Sequence, residues 1–131
     1  MCLSVVYRGK KKKEALAALS DSFYCWKVAA VYDRPKRYYS APIWRARYPV
    51  GWGQTKPSYA GCGYQIAWHF FLKKSDAVWF RRDHDEEIIR CKVKKRDVVA
   101  IGEQTWNCKK LSVIVAEWAW FPRYRKRPKS A

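Results

Sequence analysis

Apolar and polar positions alternate along this chain in short runs, and the runs predict more strand than helix. Residues 2–7 (CLSVVY) are β-branched and apolar and read as an opening strand. Arg8 and Gly9 break it, and residues 10–19 (KKKKEALAAL) are strong helix formers, with Ala15, Leu16, Ala18 and Leu19 as the stripe to bury. After a turn at 20–22, residues 23–32 (FYCWKVAAVY) predict a second strand. Residues 64–72 (YQIAWHFFL), 88–93 (IIRCKV) and 98–101, ended by Gly102, read as further strands. Ser75 is placed to cap a short helix over 76–82, with Asp76 at the positive end of its dipole. Residues 83–87 and 94–97 read as turns. Residues 111–121 (LSVIVAEWAWF) read as one long central strand that Pro122 ends.

Residues 33–60 break this regularity. They hold four of the six prolines and two of the six glycines, with Tyr and Trp set among Arg and Lys. A stretch this long without regular structure is functional or conceals an element, and a short strand over 43–48 is expected inside it. The chain has no internal repeat. Its element order, β-α-β-loop-β-α-β-β-β, predicts an α+β fold: a curved, mainly antiparallel sheet or partly open barrel flanked by two short helices. A length of 131 residues suits one domain, expected over 1–122, followed by a basic tail over 123–131.

Charge changes the picture most. Lys and Arg number 28 against 11 Asp and Glu, a formal +17, beside 8 Trp and 9 Tyr. Apolar residues at 49% exclude a disordered basic tail, which requires low hydrophobicity together with high charge. Self-repulsion opposes compaction here, and a polyanion would relieve it. Cations that grip phosphates and rings that stack on bases are the two needs of single-strand binding. No apolar run approaches the ~18–20 residues of a membrane span. Residues 1–13 place their basic cluster after the apolar stretch, opposite to a signal peptide, so a cytoplasmic protein is expected.

The densest mixture of these residue types is the middle segment. Arg34, Lys36, Arg37, Arg45 and Arg47 interleave there with Tyr38, Tyr39, Trp44, Tyr48 and Trp52. Three basic clusters add to it: Lys10, Lys11, Lys12 and Lys13; Lys94, Lys95 and Arg96; and Arg123, Arg125, Lys126 and Arg127. If each engaged two phosphates, duplex affinity would fall with salt at a log–log slope near ~5. The alternative is that the rings pin a long loop to the core while the cations are simply solvated. The lysines at 10–13 also crowd the helix end that disfavours cations, either as a tolerated cost or because they meet an anion.

Catalytic signals are weaker. His69, in an aromatic strand, reads as packed with one nitrogen hydrogen-bonded, though a general base is the alternative. His84 lies in RRDHDEE and could form a metal or acid–base site with Asp83 or Asp85, but also reads as a solvated turn. Five cysteines (Cys2, Cys25, Cys62, Cys91 and Cys108) show no C-x-x-C pair and read as reduced, mostly buried thiols. Cys2 could be a nucleophile were Met1 removed, yet Leu3 and its strand-like run point to a structural residue. Zinc would need Cys62, His69, His84 and Cys91 to converge, which their spacing does not indicate; neither metal nor cofactor is expected.

From residue 62 the chain runs Cys62-Gly63, His69-Phe70-Phe71, Asp76-Ala77, Val93, Arg96-Asp97-Val98-Val99, then Lys110 and the apolar Leu111–Ala116. This layout resembles small phage- and mobile-element-encoded domains of unassigned function. In those, a Gly-Leu-His-like segment precedes an alanine-bearing helix, a V…DVV strand pair and a final K-x-R strand. Trp68 departs from the usual Gly-Leu, and the final strand lacks the arginine. The resemblance, over residues 62–116, implies a β-rich domain of viral or mobile-element source.

Three functions follow as expectations. The first is a nucleic-acid-binding module, with RNA or single strands favoured because no recognition helix is evident. The second is an interaction protein that inhibits a host nucleic-acid machine such as a defence nuclease, in the anti-CRISPR manner. The third is an enzyme acting on nucleic acid or a nucleotide through His69, His84 or the acids at 83–87.

Overall fold

The alternating runs pair into one antiparallel sheet. The computed structural model describes residues 3–32, 37–42, 46–56, 63–82 and 85–125. The elements among them are β1 (Val5–Val6), α1 (Gly9–Ala17), β2 (Ser22–Tyr32), β3 (Tyr38–Ser40), β4 (Gly51–Gln54), β5 (Trp68–Phe71), α2 (Lys74–Phe80), β6 (Glu87–Lys94), β7 (Val98–Trp106), β8 (Lys109–Ala116) and β9 (Trp118–Phe121). The strand order is β1-β7-β8-β5-β2-β6-β9-β4, with β3 on β2, and the sheet stays open between β1 and β4.

Two wings meet along a short seam. β2 and β6 pair continuously from Ser22↔Lys94 to Ala29↔Glu87, whereas β2 and β5 share only Trp26↔Phe71. Three strand spacings separate β5 from β9, about 14 Å in a flat sheet. Yet the Phe121 ring lies 4.8 Å from Trp68 and 5.8 Å from Phe70. The sheet therefore curls around Phe121.

Strand alternation sends side chains to two faces. Cys25, Ala29, Ile89, Cys91, Val93 and Phe121 form one cluster, against which Ala15, Leu16 and Leu19 of the α1 region pack. On the opposite face Val28, Phe71, Val113 and Val115 join Ala77 and Phe80 of α2. Asp76 fastens that helix: its buried carboxylate accepts from the Ser112 amide at 3.0 Å and meets Lys109 at 3.6 Å. Ser75 lies within the helix, because Lys73 occupies the cap position and caps with no side chain.

Several boundaries differ from expectation. The long strand over 111–121 is two strands. Glu117 interrupts the apolar run, its amide donates to the Asp97 carbonyl, and the chain crosses from one wing to the other. The loop over 33–60 contains β3 and β4, while of the strand over 43–48 only an Arg47 bridge to Ser40 is seen; residues 43–45 lie outside the described residues. The strand expected to end at Gly102 continues to Trp106, and the chain reverses in two residues, Asn107 and Cys108, both at positive φ as a tight hairpin requires.

Gly102 permits that extension. A Cβ there would lie 1.9 Å from the Val5 carbonyl oxygen, so only glycine lets β1 dock on β7. Gly102→Ala is expected to lower stability by about 1–3 kcal/mol in urea unfolding. The Ser4 and Tyr7 amides, which donate to Glu103 and Ile101 carbonyls, should lose hydrogen-exchange protection first.

Candidate nucleic-acid interface

α2 covers only part of its face of the sheet, and the remainder carries the basic and aromatic residues. Register places Ser22, Tyr24 and Trp26 of β2 beside Lys94, Lys92 and Arg90 of β6. Lys92 in turn pairs with Trp120 of β9, Trp120 with Trp52 of β4, and Trp118 with Gln54. A row of three cations thus runs between aromatic rows from both neighbouring sides. None of these positions is an Asp or Glu.

The rings stand out rather than in. Tyr24 is 48% exposed, Trp52 44% and Trp118 38%. Together with Trp120 they belong to neither apolar cluster, whereas Trp26 leans on the second. The Arg90 guanidinium sits 4.4 Å over Tyr24, Lys92 5.8 Å from the same ring, and Lys94 5.0 Å over Trp52. Such contacts contribute about 0.5–1 kcal/mol each at exposed sites, and hold the cations upright on the sheet.

A groove of about 360 Å³ continues this surface past the ends of β9 and β3. It brings together Arg37, Tyr38, Tyr39, Arg47 and Arg123, five of the expected site residues. Arg47 stacks 4.7 Å over Tyr38, and Arg37 donates to the Tyr124 hydroxyl at 3.3 Å. Tyr124 packs edge-on against Tyr39 at 5.5 Å, so the start of the basic tail lies against β3. Tyr39 and Pro122 also line an adjoining hollow that reaches Arg90, Trp120 and Arg125, linking groove to sheet face. Glu87 shares that hollow and accepts from the Tyr39 hydroxyl at 2.9 Å. At the opposite end, Lys94, Lys95 and Arg96 surround a third hollow with Asp21 and Ser22.

The remaining expected residues fall elsewhere. Lys10, Lys11, Lys12 and Lys13 ride on α1, against the face opposite Arg90; Lys10 pairs with Glu14 at 3.8 Å and Lys11 sits 4.4 Å over Tyr7. Arg34, Lys36, Trp44, Arg45, Lys126 and Arg127 lie outside the described residues. Tyr24, Arg90, Lys92, Trp118 and Trp120 are the residues of this face that reading by cluster passes over. Their signal is period-two alternation: every second residue of FYCW, IRCKVK and WAW is aromatic or basic while the others are apolar or small.

His69 is committed to structure. Its Nε2 lies 2.7 Å from the Tyr64 hydroxyl, which itself accepts from the Leu3 amide, and its Nδ1 lies 3.1 Å from the Ala67 carbonyl. Burial, then nearby Lys27, lowers its pKa to about 4. The unfolded chain takes up that proton near pH 6.5 and the folded chain only near 4. Stability should therefore fall as pH drops through that window, by on the order of 3 kcal/mol. Chemical denaturation at stepped pH checks this, with His69→Gln expected to flatten the dependence.

His84 and Asp83 lie outside the described residues, as do Cys2 and Cys62. Cys25 and Cys91 are free and buried, and burial raises both thiol pKa values, that of Cys91 to about 12. Cys108 is exposed in its turn, an exception to the expected burial. Among the described residues no group of three or more His, Cys, Asp and Glu could hold a metal, and no helix is long and apolar enough to cross a membrane. No protein-family model, curated protein or solved structure matches the chain.

Proposed function

We propose that this protein binds single-stranded nucleic acid, RNA or DNA, across the open half of its sheet. The observation that carries the reading is the Arg90–Lys92–Lys94 row flanked by Tyr24, Trp52, Trp118 and Trp120, a strip without a carboxylate. Phosphates would meet the cations, and unstacked bases would lie on the rings at about 1–3 kcal/mol per stacked base. The groove of Arg37, Arg47 and Arg123 would carry the strand onward. A duplex fits less well, since its bases are already stacked and no helix presents a reading face.

The curled sheet reads further as a partly open barrel, with Phe121 on its inner side and the cations outside. The resemblance over 62–116 favours a phage or mobile-element source, and the order of charge and apolar residues over 1–13 favours action in the cytoplasm.

Tryptophan fluorescence titration with oligo(U), oligo(dT) and a duplex, at several salt concentrations, tests the function. Single strands should quench the exposed indoles, with a log–log salt slope of ~0.7 per phosphate engaged, about 2 for the sheet cations alone. Absent binding, or binding indifferent to salt, overturns the proposal.

A further inference from the structure

A different site lies where the two wings part. Beyond the Trp26↔Phe71 pair β2 and β5 diverge, and a hollow of about 290 Å³ opens between them. Its walls are mainly apolar, including Tyr48, Ile66, Trp68, Phe70 and Val113. The charged and titratable groups around Lys27 are Arg82 and His69 in the same walls and Cys25 and Cys91 beside it. Lys27 Nζ donates to the His69 carbonyl at 2.6 Å and lies 5.3 Å from the Phe70 ring and 5.4 Å from the Tyr48 ring, with no carboxylate partner among the described residues.

A half-buried ammonium without a counter-charge carries a desolvation cost that no neighbour offsets. A cavity wall is where such groups become useful, since a ligand can satisfy them. His69 is held by Tyr64 and Ala67 and so fixes the carbonyl on which Lys27 rests.

We propose that this hollow binds a small aromatic carboxylate, its anionic end paired with Lys27 and its ring lodged among Tyr48, Trp68 and Phe70. The volume suits a ligand on the order of ten non-hydrogen atoms. The site is independent of the nucleic-acid reading, because Lys27 points away from the Arg90 row by strand alternation.

Burial lowers the Lys27 pKa to about 8, so the free amine is partly unprotonated at pH 8.5. Docking a carboxylate there raises that pKa and draws a proton from buffer.

The test uses cinnamate, 4-hydroxycinnamate and the neutral cinnamamide with the full chain. Binding is read by NMR shift mapping and by calorimetry at pH 8.5 in two buffers of different ionisation enthalpy. The acids should bind about tenfold or more tightly than the amide. They should shift resonances of Lys27, Tyr48 and His69, take up a proton, and lose affinity as pH rises past 8 or in Lys27→Met. Equal affinity for the amide, unchanged affinity in Lys27→Met, shifts confined to the Arg90 face, or no binding at millimolar ligand each overturns it. If Lys27→Met fails to fold, the acid–amide comparison and the proton uptake decide on the unmodified chain.

Discussion

The double variant Arg90→Glu/Lys92→Glu is expected to abolish single-strand binding while leaving the fold intact. Both side chains stand on the uncovered face, where they contact aromatic rings and enter no apolar cluster. The stability lost with their cation–π contacts is about 1–2 kcal/mol in total. The binding lost is larger. A charge-assisted contact contributes about 1.5–3 kcal/mol, and each reversal also sets a carboxylate against phosphate, so affinity should fall at least about 100-fold. Filter binding at low salt, with a thermal melt by circular dichroism, separates the two effects. Trp118→Ala should cost about 1–3 kcal/mol of binding by removing one stacking surface. Replacing Lys10 to Lys13 with alanine should alter affinity far less, because α1 packs against the other face. Should the α1 lysines prove the more important set, the sheet face is not the interface.

The largest loss of stability is expected from Phe121→Ala. Phe121 is fully buried and its ring stacks on Tyr48 at 4.9 Å while touching Trp68 and Phe70. No other ring spans the wings in this way among the described contacts. Truncation removes a large apolar surface and leaves a void walled by rigid aromatics that cannot collapse into it, a cost of about 3–5 kcal/mol. Urea unfolding should show a midpoint shift of that size. An effect below about 1 kcal/mol would mean the curl is held by something else.

The strand-rich character, both helices and the basic–aromatic composition were legible in the chain, because each rests on local periodicity and charge. The limits of that legibility are specific. Nothing local distinguishes Gly102 as a terminator from Gly102 as the contact point for β1, since the deciding neighbour, Val5, is remote in sequence. Glu117 alone marks the break between β8 and β9, and one polar residue in an apolar run does not reveal that its two sides join different wings. For the site, counting cations by cluster favoured runs such as Lys10–Lys13. Alternation, in which Arg90 and Lys92 flank buried Cys91, points instead to the sheet face proposed as the interface, because a sheet sorts residues by parity and not by density. Lys27 was invisible for the opposite reason: it sits in an apolar strand, and only the parting of β2 from β5 gives it a cavity.

The crossing at Glu117 governs how the chain reaches this shape. β8 completes one wing by joining β5 and β7, and β9 completes the other by joining β6 and β4. Strands separated by long loops must wait for residues 109–121, so ring closure entropy is spent before pairing repays it, and refolding belongs in the millisecond-to-second range. During synthesis the Trp52 strand leaves the ribosome before β9 and the Phe70 strand before β8, the partner it pairs with over its full length, and in that interval they are the segments a chaperone would need to shield.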